Sequence, residues 1–205
     1  MTSRTRPTED ETRSYAATLR KRILDSASVK RSLAEQLDDA VAVASRLVEA
    51  LRSGHKLLLF GNGGSAADSQ HIAAELTGRY YLDRPALPAL ALTVDTSALT
   101  AIGNDFGFEL VFARQIQGIG RPGDVAIGLT TSGNSKNVVR GLEVARDLGL
   151  VTVAMTGREA GKAGEIADHC VRVPSDDTPR IQESHILLGH VWSEIIEAAL
   201  FGPGS

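Results

Sequence analysis

Two short segments of this chain are dense in groups that bind anions. Gly61-Asn62-Gly63-Gly64-Ser65 is glycine-rich and ends in a hydroxyl, while Thr130-Thr131-Ser132-Gly133-Asn134-Ser135 places four hydroxyls in six residues. Glycines let backbone N–H groups approach an anion, and a helix N-terminus following such a loop adds a positive dipole end. The first segment has neither the P-loop lysine nor the GxGxxG spacing, and by itself it also fits a tight turn with a serine cap. The second exceeds what capping requires, because one hydroxyl suffices for a cap. Together they point to a small phosphorylated ligand.

Ionisable side chains recur at helical spacing elsewhere. His71 and Glu75 are four apart and share one face of a helix. Gln182 and His190 are eight apart, about 80° of net rotation, so they project to one side some two turns apart. Imidazole and carboxylate groups suit proton transfer and zinc ligation. Spacing alone equally fits a surface pair at His71–Glu75 and a satisfied core histidine at His190, inside the apolar run from Ile186 to Trp192.

The elements that must position these groups follow from hydrophobic rhythm. Short apolar runs at 56–60, 88–93, 124–129, 150–155 and 169–173 alternate with helical stretches at 65–77, 96–104 with 108–118, 135–148 and 161–167. A helix from about 178 to 200 closes the pattern. This predicts an α/β fold, a single three-layer αβα domain over 54–201 with a five-stranded parallel sheet. Ligands in such sheets sit beyond the carboxyl ends of the strands, where both hydroxyl-bearing segments fall. Ahead of the domain, residues 13–53 predict two helices broken near Ser26-Ala27-Ser28 and ending at Gly54. Their apolar stripes need a covering surface, which a neighbouring subunit would supply. Residues 1–12 are polar and expected to be flexible, and 202–205 form a tail.

Composition narrows the partners. A net charge of −3 over 205 residues, 42% of them hydrophobic, makes no general claim on nucleic acid or an anionic membrane. Any anion site must therefore be local. The single Cys170 excludes an intrachain disulfide and reads as a buried strand residue. The segment MTSRTRPTEDETRSY carries no apolar leader, and no run of about 18 apolar residues occurs, so a cytoplasmic location is expected.

The pair GNGGS and TTSGNS, about 70 residues apart, resembles the sugar isomerase (SIS) domain. With GNGGSAADSQHIAAELTGRY (61–80), AIGNDFGFE (101–109), MTGREAGK (155–162) and RIQESHILLGH (180–190), the chain is similar to the phosphoheptose isomerases within that superfamily. That resemblance implies an aldose–ketose isomerase converting D-sedoheptulose 7-phosphate to D-glycero-D-manno-heptose 7-phosphate through an enediol, the first step of ADP/GDP-heptose biosynthesis. It implies Glu75 and His190 as the proton-transfer pair, and His71, Glu75, Gln182 and His190 as holders of one zinc ion per subunit. Asn62, Gly63, Gly64, Ser65, Thr130, Thr131, Ser132 and Ser135 would grip the phosphate. Asp95, Gln182, Thr178 and Arg79 would face the substrate, although Arg79 also fits a solvated helix-end arginine. A homotetramer is implied as well.

Two positions depart from the family pattern. Thr130 stands where serine is more frequent, keeping the hydroxyl, and Pro179 stands where some members carry aspartate, leaving Thr178 as the polar group of that turn. Two other readings compete. One is a non-catalytic SIS scaffold for a replication initiator, a relative without the equivalents of Glu75 and His190 and with GNGT for GNGG. The other is a different sugar-phosphate isomerase, such as the arabinose 5-phosphate enzyme with its CBS modules.

If the 130–135 loop holds the phosphate, Ser132→Ala and Ser135→Ala each remove a charge-assisted hydrogen bond worth roughly 1.5–3 kcal/mol and raise KM accordingly. Steady-state kinetics on sugar phosphate measures this, and an unchanged KM in both variants removes the loop from the site.

Overall fold

The computed structural model describes residues 8–203. Its strands are β1 (Leu57–Gly61), β2 (Ala89–Ala91), β3 (Val125–Leu129), β4 (Val151–Thr156) and β5 (His169–Arg172). All pair in parallel, in the order β2-β1-β3-β4-β5. The helices are α1 (Glu9–Ala34), α2 (Asp38–Arg52), α3 (Gly64–Thr77), α4 (Thr96–Phe106), α5 (Val111–Ile119), α6 (Lys136–Asp147), α7 (Gly161–Ile166) and α8 (Thr178–Phe201), with a short 3₁₀ turn at Phe108–Leu110.

Strand periodicity divides the core into two layers. Leu57, Leu59, Ile127 and Met155 point to one face, where they meet Val43 and Leu47 of α2, Ile72 and Leu76 of α3, and Leu188, Trp192 and Ile196 of α8. Leu58, Phe60, Ala126 and Ala154 point to the other, against Phe112 and Ile116 of α5, Val138 and Leu142 of α6, and Ala163 of α7. Both faces are covered, as the unbroken apolar runs of β1 and β3 require.

The leading helices differ from expectation at both ends. Residues 9–12 belong to α1 rather than to a flexible arm; residues 1–7 lie outside the described residues. The cause is a capping box: the Glu11 backbone N–H donates to Thr8 Oγ1 (3.3 Å), and the Thr8 N–H donates to Glu11 Oε2 (2.8 Å). Nor is there a break at Ser26-Ala27-Ser28. Ser26 Oγ donates to Glu183 Oε2 on α8 (2.6 Å), so the hydroxyl ties α1 to α8. The chain turns instead at residues 35–37, between Leu33 and Ala40, which are both buried in the core.

α3 and α8 lie side by side with their N-termini at the carboxyl edge of the sheet. Glycine makes the approach close: a Cβ on Gly189 would fall 2.4 Å from Cγ1 of Ile72. Trp192 Nε1 donates to the Ala40 carbonyl (3.0 Å) and ties α8 to α2. One turn after Gln182, the fully buried His185 reaches under the sheet edge and its Nε2 donates to the Thr156 carbonyl at the end of β4 (3.1 Å).

Burial holds the pKa of His185 down, at about 4, only partly opposed by the bond to Thr156. The folded protein therefore keeps this imidazole neutral where the unfolded chain, near 6.5, takes up a proton. Its contribution is complete above about pH 6.5 and is lost as pH falls toward 4, at roughly 1.4 kcal/mol per pH unit. Urea unfolding at pH 7 and pH 5 should show the wild type losing about 2 kcal/mol more than His185→Gln over that interval. Equal losses in the two proteins contradict a neutral buried imidazole.

Candidate active site

β3 delivers Thr130 to the carboxyl edge, where the chain turns through Gly133 at φ +69° and enters α6. Thr130 is buried and its Oγ1 donates to Ser135 Oγ (3.1 Å). Ser135 thereby accepts from within the loop and keeps its own proton to donate outward. The loop is fixed on its far side as well, with the Ala163 N–H donating to Gly133 O (2.8 Å) and the Lys162 N–H to Asn134 Oδ1 (3.1 Å). Thr131, Ser132 and Thr178 line one cavity of about 330 Å³ at this edge. Arg158 and Ser175 line it too. Neither was singled out from the sequence; the signal for Arg158 was its place in the loop after β4. Its guanidinium is paired with Asp176 (Nε–Oδ2 2.9 Å).

The first loop is cross-tied to the second. Asn62 and Asn137 exchange amide hydrogen bonds in both directions, each 2.8 Å, so the Asn62 side chain joins β1 to α6. Gly63 caps α3 with φ +56°, and Ser65 is buried in its first turn. The Gln182 carboxamide lies so near Gly64 that a Cβ there would fall 2.6 Å from Nε2. Asp95 follows β2 and caps α4, accepting from the Ala98 N–H (2.9 Å), and it lines a separate groove of about 510 Å³ between β2, α4 and α5. Arg79 is exposed just past the end of α3.

About 10 Å further along the α3–α8 pair, at the helical rise of 1.5 Å per residue, three side chains converge. His71 Nε2 is 3.0 Å from Glu75 Oε1 and 3.3 Å from His190 Nε2, and His190 Nε2 is 4.0 Å from Glu75 Oε1. The donor atoms all lie within 4.8 Å of one another. His71 can donate its Nε2 proton to Glu75 or accept at that nitrogen from His190, but not both. A metal ion held by the three side chains would remove that conflict, because each would then act as an acceptor toward it. The chemistry of the donor set, two imidazoles and a carboxylate, fits zinc. The cluster is partly open: His71, Glu75 and His190 side chains are 50%, 22% and 31% exposed. Tyr80 stacks on His190, with centroids 5.7 Å apart and planes at 24°. Its hydroxyl pKa is pushed up to about 12, chiefly by the hydrogen bond it donates to the Tyr81 hydroxyl.

Residues 23–157 match the SIS domain family. The chain is 54% identical over 184 residues to a phosphoheptose isomerase of Akkermansia muciniphila, covering 90% of this chain and 97% of the relative. It is 58% identical over 174 residues to a phosphoheptose isomerase of Aquifex aeolicus, covering 84% and 91%. The solved phosphoheptose isomerase GmhA from Neisseria gonorrhoeae superposes with a TM-score of 0.85 at 41% identity, over 90% of this chain and 99% of that one. The chain thus belongs to the SIS domain family and, within it, to the phosphoheptose isomerases, and it is an isomerase.

Proposed function

We infer that this isomerase converts D-sedoheptulose 7-phosphate to D-glycero-D-manno-heptose 7-phosphate in the cytoplasm, supplying ADP- or GDP-heptose synthesis. The observation that carries the reading is the convergence of His71, Glu75 and His190 on one helix pair, of which α8 begins at the hydroxyl-lined cavity with Thr178. No helix among the described residues is long and apolar enough to cross a membrane.

The phosphate is held by Thr131, Ser132, Ser135 and Thr178, by hydroxyls rather than by a lysine, which leaves release rapid. Thr130 and Asn62 act one step back, by orienting Ser135 and by locking the two loops together. Glu75 removes a proton from C1 while the C2 carbonyl oxygen gains one from His190, giving an enediol. Return of a proton to C2, with loss of the O1 proton to His190, gives the aldose and restores both side chains. His71, Glu75 and His190 would hold zinc, which would supply polarisation of the carbonyl and stabilisation of the enediolate charge. Gln182, expected as a fourth ligand, has its carboxamide against Gly64, apart from these three. Arg79 would contact the sugar from its exposed position, whereas Asp95, expected to do the same, caps α4 and lines the separate groove.

Uncovered apolar surface beside the site supports assembly into a homotetramer. Tyr15, Leu19 and Ile23 of α1, Tyr81, and Leu187, Val191 and Ile195 of α8 are all exposed in the single chain. A symmetric assembly covers these stripes and closes the open side of the cluster.

Glu75→Gln keeps the shape and removes the base. Its kcat should fall by about 10²–10⁴ with substrate still bound, and His190→Gln should behave similarly. Chelation should abolish turnover, and added zinc restore it, where the ion takes part in chemistry; a fall in melting temperature alone marks a structural ion. Turnover by Glu75→Gln at the wild-type rate contradicts the assignment.

A further inference from the structure

Glu197 lies on α8 two turns beyond His190, and its carboxylate is fully occupied. Oε1 accepts from the Tyr80 N–H (2.8 Å) and from Arg84 Nε (3.0 Å), and Oε2 accepts from the N–H groups of Tyr81 and Leu82, each at 2.8 Å. Burial alone would raise its pKa, but the bonds from Leu82, Tyr80, Tyr81 and the charge of Arg84 outweigh burial and hold it below the ordinary carboxylate value. Arg84 also donates to the end of α3, Nη1 to Leu76 O (2.7 Å) and Gly78 O (3.2 Å) and Nη2 to Glu75 O (2.9 Å), with Nη1 reaching Pro85 O as well (3.1 Å). The two side chains are only 1% and 2% exposed.

A buried ion pair is weak evidence for stability as such, because apolar residues of similar volume often do as well. What distinguishes this one is where its bonds end. One arm terminates on the backbone of Glu75 itself, and the other on the backbone of Tyr80, whose ring lies on His190. The mechanism above uses neither Glu197 nor Arg84 nor Tyr80. We propose that Glu197 and Arg84 are positioning residues for the proton-transfer pair. They fix the last turn of α3, which carries Glu75, and hold the Tyr80 ring against the His190 imidazole. The inference rests on the roles assigned to Glu75 and His190.

The test uses the full-length enzyme with Glu197→Gln and, separately, Tyr80→Leu, which removes the stacked ring and leaves the ion pair. A glutamine at 197 turns an NH₂ toward N–H donors and frees the 80–82 segment. Folded Glu197→Gln should lose about 10–100-fold in kcat with KM within about threefold of wild type, as a misplaced catalytic pair requires. Tyr80→Leu should lose about tenfold in kcat at a near-wild-type melting temperature. In ¹H–¹³C correlation spectra Glu197→Gln should move the His190 imidazole signals and leave those of His185 in place. A lowered melting temperature with wild-type kcat and unmoved His190 signals overturns the proposal. Should Glu197→Gln fail to fold, wild-type kcat in Tyr80→Leu overturns it. Should the wild type turn over no ketose phosphate, the functional reading fails, and the His190 signals in Glu197→Gln still decide the positioning claim.

Discussion

Gly189 allows the backbone of α8 to settle directly on the Ile72 side chain of α3, and the site depends on that contact. Both helices leave the carboxyl edge of the sheet in the same direction, because each follows a strand of one parallel sheet. Their parallel packing puts Gln182 beside Gly64 at one level and His190 beside His71 at the next. An added methyl at Gly189 would push the helices apart, and the 3.0–4.0 Å spacings of the three donors leave little room for it. Dispersion contacts and apolar burial on α3 and α8 thus supply the force that keeps three polar groups together.

At the carboxyl edge the polar residues divide between holding the loops and facing a ligand. Thr130, Asn62, Asn137 and Asn134 are spent on bonds inside and between loops. That leaves Thr131, Ser132 and Thr178 on the cavity, with their backbone fixed by neighbours rather than by the ligand. A cradle organised before binding loses less conformational entropy on binding. His185 contributes from below: the carbonyl it bonds belongs to Thr156, and the next residue, Gly157, donates its N–H to Thr131 O.

Much of this was legible in the sequence because it is local. Each strand was visible as a short apolar run and each site loop as a cluster of hydroxyls or glycines at the end of such a run. His71 and Glu75 meet through the helical repeat alone, and they do bond in the structure. The capping box was also legible, as Thr8 and Glu11 three apart, but the acidic run around it masked the signal. The turn at 35–37 was not, because no glycine or proline marks it and burial of Leu33 and Ala40 decides it. Least legible were pairs made by topology. Asn62 meets Asn137 across 75 residues and Arg84 meets Glu197 across 113, and nothing in either segment announces its partner. Glu197 was not singled out from the sequence, because its four donors come from residues 80–84, far from it along the chain.

The central claim is that a carboxylate and an imidazole on paired helices move a proton between C1 and C2 of a ketose phosphate. In the single chain Glu75 and His190 are partly exposed, so a proton held by either has a route to solvent. The direct measurement is NMR of the product formed from sedoheptulose 7-phosphate in D₂O. The account predicts an aldose carrying deuterium at C2, except for the fraction in which Glu75 passes the same proton from C1 to C2. Protium alone at C2 together with wild-type turnover by Glu75→Gln, as a hydride shift requires, contradicts it.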